Sequence, residues 1–329
     1  MKSQYVLASA GLASPAMASN PLNDLPLPPM GFNNWARYTT NINQSIFVDA
    51  ADAMSSNGLL AAGYNRLNLD DAWSTKKRAD NGSMVWDPVK FPKGMPWLTE
   101  YMRSKGFIPG IYSDSGTLSC GGLPGTLDYE AIDLKTFSDW GFDYLKLDGC
   151  YVPTDKEEMY YKIYTKWHDL LEKFPKTMIF SDSAPAYFVG SDVKNFTDWY
   201  TVMGWSAEYG QLARHSDDVA NFASTEDGWT SIMTNYGYHV RLARYQQKGF
   251  FNDPDFLIVD NPTLSMDEKK SQFALWCSFS APLILSANTP TLTAEEIKFL
   301  TNKDLISVNQ DTLIEQATFA SRDDTWDIL

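Results

Sequence analysis

The sequence predicts an α/β fold, a (β/α)8 TIM barrel, and two observations carry this prediction. Eight short apolar segments alternate with longer segments in which apolar residues recur at helical spacing. Strand after strand ends on an acidic residue, and in such a barrel all strand ends converge on one face. These acids are Asp70 and Asp71, Asp114, Asp148, Asp182, Asp218 and Asp255. The 329 residues are enough for a barrel of ~250 residues.

The predicted elements follow one another in regular order. Strands are predicted over residues 30–35, 64–69, 107–112, 142–147, 178–180, a poorly delimited stretch before Arg214, 250–251 and 282–285. Helices are predicted over residues 44–57, 95–104, 129–140, 156–174, 229–247, 265–279 and 293–300. The last helix begins with a capping box formed by Thr293 and Glu296. A single aspartate after a strand can be a helix N-cap, but capping alone accounts poorly for six acidic strand ends.

Three segments lie outside the predicted barrel, which covers residues 30–311. Residues 1–18, with Lys2 and an Ala16-Met17-Ala18 ending, are typical of a signal peptide with a weak apolar core. Residues 19–29 form a proline-rich segment that leads into the barrel. Residues 305–311 are expected to leave the barrel, and residues 312–329 to begin a truncated C-terminal β-sandwich domain.

Composition and charge argue against several classes of partner and site. The net charge of -14 and a pI near 4.6 argue against nucleic acid and against anionic membrane surfaces. No run of ~18 apolar residues is present, so no membrane span is expected. Three cysteines and three scattered histidines are too few for a zinc framework. Cys120 and Cys150, both beside glycine, are candidates for a disulfide, and Cys277 for a buried thiol.

Glycosylation signals point to an extracellular protein. Three Asn-x-Ser/Thr sequons begin at Asn43, Asn81 and Asn195. Together with the signal-like N-terminus they predict secretion and N-glycosylation at these asparagines.

The segment 144–150 is the predicted centre of the chemistry. Lys146 lies on the same strand face as Asp148, where a cation lowers the pKa of the acid and suits a nucleophile or charge stabiliser. The alternative is a structural ion pair at a strand end. Glycosidic bond cleavage needs a second, protonated carboxyl group, for which Asp217 and Asp218, after Arg214, are the candidates. A metal-dependent hydrolase is less favoured, because loops of the Asp-x-Asp-Gly type are absent from the sequence.

Seven motifs of the chain resemble the family 27 glycoside hydrolases, the α-galactosidases and α-N-acetylgalactosaminidases, and most closely their secreted fungal members. They run in family order through nearly the whole chain, at residues 29–35, 68–73, 110–114, 144–150, 214–218, 252–255 and 308–311. The resemblance implies a retaining double displacement with Asp148 as nucleophile and Asp218, rather than its neighbour Asp217, as acid/base. It also implies a disulfide between Cys120 and Cys150.

The resemblance further implies a set of substrate-binding positions and no cofactor or metal. Asp70 and Asp71 would hold distal hydroxyls, Lys146 and Arg214 would donate hydrogen bonds, and Asp255 would lie near the acid/base. The full set is Trp35, Asp70, Asp71, Tyr112, Cys120, Lys146, Asp182, Ser183, Ala186, Tyr187, Arg214 and Asp255.

Two departures from the family pattern matter. Ala72 and the segment 39–41 stand where the family usually has a second disulfide. At Ser183 and Ala186 galactose-specific relatives carry a glutamate and a larger apolar residue, so the smaller pair resembles members that accept N-acetylgalactosamine. Asp182 next door could instead supply a carboxylate for a 2-hydroxyl.

The sequence therefore predicts an exo-acting α-galactosidase that acts on substrates with a terminal α-galactosyl group. An α-N-acetylgalactosaminidase is the alternative within the family. A non-catalytic galactose-binding barrel is the alternative from a different class, and the intact Asp148 and Asp218 argue against it. The sequence does not indicate an oligomeric state.

Overall fold

Eight parallel strands form the centre of the fold, as the sequence predicts. In chain order they are β1 (Met30–Asn33), β2 (Arg66–Leu69), β3 (Ile108–Asp114), β4 (Tyr144–Asp148), β5 (Ile179–Asp182), β6 (Leu212–Arg214), β7 (Phe251–Asp253) and β8 (Leu283–Leu285). The structure is a computed structural model that describes residues 25–189, 197–322 and 327–329. The predicted signal peptide, residues 19–24 and the sequon asparagine Asn195 lie outside these ranges.

The strands close into a barrel in sequence order. Each strand from β1 to β7 pairs with the next, and β8 pairs back onto β1. The gap between β7 and β8 is bridged just after β7, where Leu257 N donates to Ile284 O at 2.9 Å and Leu257 O accepts from Ser286 N at 2.9 Å. The (β/α)8 barrel prediction is confirmed.

Ten helices are described, most of them packed around the strands. They are α1 (Trp35–Tyr38), α2 (Gln44–Ser56), α3 (Met95–Ser104), α4 (Glu130–Asp139), α5 (Glu157–Lys173), α6 (Thr197–Tyr209), α7 (Gly228–His239), α8 (Met266–Ser278), α9 (Ala294–Leu300) and α10 (Lys303–Asn309). Short 3₁₀ turns span Leu60–Ala62, Ala184–Tyr187, Ala243–Tyr245 and Thr289–Thr291. No described helix has the length and apolar character needed to cross a bilayer.

Local sequence explains why these helices begin and pack where they do. Helix α5 buries one stripe of residues at helical spacing: Tyr160, Ile163, Tyr164, Trp167 and Leu171. The predicted capping box at Thr293 and Glu296 is present at the start of α9, and Ser265 and Glu268 form another at α8. Asn43 caps α2, its Oδ1 accepting from the backbone N–H groups of Ser45 and Ile46.

Three parts of the chain differ from the predicted elements. Helix α6 was not predicted; it supplies the outer layer between β5 and β6. The helix predicted over 229–247 ends at His239, and the chain then turns beneath the barrel, where Gln246 Nε2 donates to Phe279 O at 2.9 Å. The segment expected to leave the barrel contains α10, whose Asn309 is anchored to Ala281 O at 2.8 Å.

The C-terminal residues form a small second sheet. Strands β9 (Ser321–Arg322) and β10 (Asp327–Ile328) pair antiparallel. The predicted strand over this segment is therefore present, separate from the barrel sheet.

Two loops that border the barrel mouth are held by different means. On one side a disulfide joins Cys120 to Cys150, with their Cα atoms 5.2 Å apart. On the other side the Lys90 ammonium donates to Ala72 O at 2.8 Å and to Thr40 O at 3.1 Å. The lysine thus links the two segments that would carry the second family disulfide. Cys277 is buried and unpaired, as predicted, and burial raises the pKa of its thiol to about 12.

Candidate active site

A pocket of about 270 Å³ opens at the carboxyl ends of the strands, the face where barrels of this kind place their chemistry. Carboxyl and aromatic side chains dominate its wall. The wall consists of Trp35, Asp70, Asp71, Tyr112, Cys120, Asp148, Cys150, Ser183, Ala186, Tyr187, Arg214, Ser216, Asp217 and Asp218. The structure thus brings together most of the predicted site residues, which come from six different strand ends.

Asp148 closes strand β4 and lies beside the disulfide. The phenol of Tyr187 donates a short hydrogen bond to Asp148 Oδ1, and the same hydroxyl lies 3.2 Å from Cys150 Sγ. Gly149 makes this possible, because a Cβ there would lie 2.8 Å from the Tyr187 ring and 2.7 Å from that of Tyr160. The strand end, the tyrosine and the disulfide therefore fix one face of the nucleophile candidate.

The pKa of Asp148 is raised from its ordinary value. Burial is the largest cause, and the Lys146 ammonium and the Tyr187 hydrogen bond act against it. The sequence predicts that the Lys146 cation lowers this pKa, and it acts in that direction. Lys146 does lower it, but burial in the pocket wall has the larger effect.

Lys146 and Asp70 form a buried pair at the inner end of the pocket. Lys146 Nζ lies 2.8 Å from Asp70 Oδ2, and Asn33 Nδ2 donates to the same oxygen at 2.7 Å. Asp71 accepts from Gly121 N at 2.8 Å, in the loop that holds Cys120. Both carboxyl groups are thus held by several donors, which orients them for hydrogen bonds with a hydroxylated ligand.

Asp218 follows strand β6 and is more open than Asp148, with 51% of its side chain exposed. Trp35 Nε1 donates to Asp218 Oδ2 at 2.8 Å, and Arg214 Nη2 donates to Oδ1 at 3.2 Å. Loss of surrounding water raises the pKa of Asp218, but the charges of Arg214 and Lys146 and the Trp35 hydrogen bond outweigh it, so the pKa is lowered.

Asp255 supports Arg214 from behind. Its carboxylate lies 2.9 Å from Arg214 Nη1 and accepts from Val219 N at 2.7 Å. The residue is buried and has a φ of 78°, a left-handed conformation that a non-glycine residue adopts at some cost. Since Asp255 lies behind the guanidinium and not on the pocket wall, it positions Arg214 and has no direct access to a ligand.

Asp182 is not part of the pocket. It is fully buried, and its Oδ1 accepts from Ala184 N at 2.6 Å. Strand register gives the reason: Ser181 pairs with inward-facing Lys146, so Asp182 pairs with Leu147 and faces the helix layer. Burial raises the pKa of Asp182 to about 7. The structure therefore leaves Ser183, Ala186 and Tyr187 as the pocket residues of this segment, without the carboxylate of Asp182.

Three further differences separate the predicted from the observed site. Asp114 ends β3 in register with Asp148 but is fully buried, accepting from Gly116 N at 2.7 Å and from Cys150 N at 3.0 Å. Ser216 lines the pocket and was not predicted, because a serine between Arg214 and the two aspartates carries no distinctive signal. Lys146 lies behind Asp70, with its ammonium 5.1 Å from the Tyr112 ring centroid.

Two clusters of possible metal-ligand side chains lie among the described residues. Asp114 lies close to Cys120 and Cys150, but both sulfur atoms are joined in the disulfide and are not thiolate ligands. His168, Asp169 and Glu172 form a second cluster on helix α5, away from the pocket. Neither group brings a metal to Asp148 or Asp218.

Comparisons with known proteins agree with this geometry. A family model described as alpha galactosidase A, Melibiase_2, matches residues 27–311. Alpha-galactosidase A of Aspergillus niger is 57% identical over 309 residues, which are 93% of this chain and 56% of that protein. The chain thus spans little more than half the length of this relative.

Two solved structures share the fold. Alpha-galactosidase I from Mortierella vinacea superposes with a TM-score of 0.82 at 28% identity, covering 97% of this chain and 79% of that one. The alpha-galactosidase from Saccharomyces cerevisiae, solved with raffinose, gives a TM-score of 0.80 at 29% identity and covers 92% and 68%. The chain belongs to the alpha galactosidase A family (Melibiase_2), the family 27 glycoside hydrolases that its motifs resemble.

Proposed function

We propose that the chain is a secreted, exo-acting α-galactosidase that hydrolyses terminal α-linked galactose with retention of configuration. One observation carries the proposal: Asp148 and Asp218 line the same pocket, together with Asp70, Asp71 and Tyr112. The volume of about 270 Å³ is at the lower end for small-molecule sites, so the pocket suits a single terminal sugar and not the interior of a chain.

The proposed reaction has two steps. In the first, Asp148 attacks the anomeric carbon, the glycosidic bond breaks, and Asp218 gives its proton to the departing oxygen. In the second, Asp218 takes a proton from water, the water oxygen attacks the same carbon, and the ester to Asp148 is released as carboxylate. Atoms and protons balance over the cycle, and both aspartates return to their starting states.

In the free pocket the pKa of Asp148 is raised by burial, and that of Asp218 is lowered by its polar neighbours. Asp218 is kept ionised by donors from Trp35 and Arg214, the same groups that are expected to contact the sugar. A sugar that takes these donors removes them from Asp218 and lets its pKa rise, while Lys146 continues to favour the Asp148 carboxylate. The two acids therefore titrate as a pair.

Galactose is the sugar that the relatives favour. The Aspergillus niger relative is named alpha-galactosidase A, and the Saccharomyces cerevisiae alpha-galactosidase was solved with raffinose. We carry this substrate class to the present chain as part of the proposal.

A second candidate substrate is α-linked N-acetylgalactosamine. Ser183 and Ala186 both line the pocket, and neither is bulky. The Ser183 hydroxyl is buried, and no described residue satisfies it. This wall has room and a free hydroxyl for an acetamide group at the 2-position of the sugar. The relatives named alpha-galactosidase A, at 55–58% identity over most of the chain, keep α-galactosidase the first choice.

The experiment compares p-nitrophenyl α-galactoside with its N-acetylgalactosaminide analogue on the purified chain. We expect turnover of the galactoside, with α-galactose as the first anomer seen by proton NMR. Hydrolysis of the N-acetyl substrate alone would reject the first candidate in favour of the second. Release of β-galactose first would reject retention and with it the covalent role of Asp148.

A further inference from the structure

A second concave surface lies on the outside of the barrel. It has a volume of about 700 Å³, within the range of small-molecule sites, and lies between the loop at residues 81–86 and helix α4. Its floor includes the indoles of Trp86 and Trp140, an edge-to-face pair with ring centroids 5.3 Å apart. Exposed Ile132 lies on α4, and Lys135, Thr136 and Asp139 give that side a polar rim.

Asn81, the first residue of a sequon, is itself part of this surface. It sits in a tight turn in which Gly82 N donates to Ala79 O at 2.8 Å with a φ of 86° at Gly82. Ser83 donates from both its N–H and its hydroxyl to Asn81 Oδ1, at 3.1 and 2.8 Å. Among the described residues no acceptor takes the Asn81 amide nitrogen, which leaves Nδ2 open for modification.

The loop that carries Asn81 is fixed rigidly against helix α4. Arg78 donates to Gly82 O at 2.7 Å, forms a two-bond pair with buried Asp133 at 2.7 Å for each bond, and stacks over the Tyr129 ring at 4.0 Å. A group attached to Asn81 therefore begins at a defined place beside the groove, and its first unit lies against the groove wall.

We propose that this groove holds an N-linked glycan attached at Asn81. The apolar faces of the first sugars pack against Ile132 and the Trp86 indole, and their hydroxyl and acetamide groups meet Lys135, Thr136 and Asp139. Attachment forms a bond from Asn81 Nδ2 to the anomeric carbon, breaks the bond from that carbon to the pyrophosphate of a lipid-linked oligosaccharide, and releases one amide proton. No oxidant or reductant takes part. The inference depends on the secretion proposed above and not on the reaction in the pocket.

The chain contains a matched control for this proposal. Asn43 begins another sequon, and Ser45 Oγ donates to Asn43 Oδ1 at 2.6 Å, as Ser83 does to Asn81. Asn43 instead caps helix α2 and lies on none of the described pockets. Ser45→Ala and Ser83→Ala therefore remove equivalent hydrogen bonds and equivalent sequons, but only the second removes a glycan from a groove.

The test uses the full chain, produced behind a secretion signal in yeast. Glycopeptide mass spectrometry gives occupancy, and peptide N-glycosidase gives the release rate at each asparagine in native and in denatured protein. We expect Asn81 to be occupied and its native release to be about tenfold slower than its denatured release, whereas Asn43 shows a smaller ratio. Ile132→Ser should abolish most of the protection at Asn81 without changing occupancy.

Thermal stability gives an independent measurement. We expect Ser83→Ala to lower the Tm more than Ser45→Ala in protein from yeast, and the two to be equal in unglycosylated protein from bacteria. An unoccupied Asn81, or a native release rate equal to the denatured rate, would overturn the proposal. So would protection that Ile132→Ser leaves unchanged.

Discussion

Asp148 and Asp218 line the same pocket, but their surroundings shift their pKa values in opposite directions. Asp148 is partly buried, against Tyr187 and the disulfide, and its pKa is raised because desolvation outweighs its polar neighbours. Asp218 is half exposed at the rim, and its pKa is lowered because Arg214, Lys146 and Trp35 outweigh desolvation. The neighbours, not the residue type, therefore decide the direction in which each pKa moves.

The two pKa shifts run against the roles proposed for the two acids. A raised pKa opposes the role of Asp148 as nucleophile, and a lowered pKa opposes the role of Asp218 as proton donor. We therefore expect the surroundings of both carboxyl groups, and with them both pKa values, to change when a sugar binds. Variants of the two acids and of their neighbours test this difference, and the largest effects are expected for the acids themselves.

Removing each carboxylate in turn should give unequal losses. Asp148→Asn removes the nucleophile, and we expect turnover to fall by about 10⁴-fold or more with every substrate. Asp218→Asn should cost about 10²- to 10⁴-fold with raffinose-type substrates but much less with p-nitrophenyl galactoside, because that leaving group needs no proton. Steady-state rates on both substrates test this. Equal losses on both substrates for Asp218→Asn would contradict its role as acid.

Tyr187→Phe removes the hydrogen bond to Asp148 and leaves the contacts of Asp218 unchanged. The lost hydrogen bond to a charged group is worth ~1.5–3 kcal/mol, so kcat should fall by about tenfold to a hundredfold. Because this bond lowers the pKa of Asp148, its loss raises that pKa, and the acid limb of the kcat/KM profile should move to higher pH. Tyr160→Phe is the control, since Tyr160 donates to Gly149 O at 2.8 Å and to no carboxylate. An acid limb that moves equally in both variants would refute the assignment.

Trp35→Phe changes the surroundings of Asp218 and leaves the hydrogen bond from Tyr187 to Asp148 in place. The variant keeps an aromatic ring but loses the indole donor that bonds Asp218 Oδ2 at 2.8 Å. Since this bond lowers the pKa of Asp218, its loss raises the pKa, and the basic limb should move to higher pH while the acid limb stays. KM should rise as a ring contact changes. A pH profile with an unmoved basic limb would show that Trp35 does not tune Asp218.

Asp182→Asn tests a carboxyl group outside the pocket. Its pKa of about 7 when folded exceeds the ordinary 3.8, so the folded chain binds a proton that the unfolded chain releases. The stability from this group is present below about pH 4 and lost as pH rises through about 7. The neutral variant should have the higher Tm at about pH 8, with no difference near pH 4. A loss of activity comparable to that of Tyr187→Phe would return Asp182 to the site.

Much of the fold could be predicted because its signals are local. Helix α3 was predicted with its observed bounds, and the box at Thr293 and Glu296 marked the start of α9. Helix α6 was missed because its apolar residues surround it on all sides: the run 199–207 contains two tryptophans, a glycine and several other apolar residues and has weak amphipathic character. Tertiary packing between β5 and β6 decides its structure, and periodicity does not show it.

The position of the site could be predicted from the sequence, but the pKa shifts of its acids could not. The acidic strand ends located Asp70, Asp71, Asp148 and Asp218 on one face. Asp182 was misplaced because a one-residue change of register turns a side chain from the pocket to the helix layer. The pKa order of Asp148 and Asp218 depends on depth and on Tyr187 and Trp35, which approach from distant parts of the chain.

The lysine link at Ala72 and Thr40 has a consequence for oxidative folding. Three cysteines allow three pairings, and the two wrong ones require Cys277, which lies buried in helix α8. With an ammonium group in place of a second disulfide, the chain has a single cystine to form and needs little reshuffling by an isomerase. A reductant would break the link between Cys120 and Cys150 beside Asp148, whereas the Lys90 hydrogen bonds contain no redox-sensitive group.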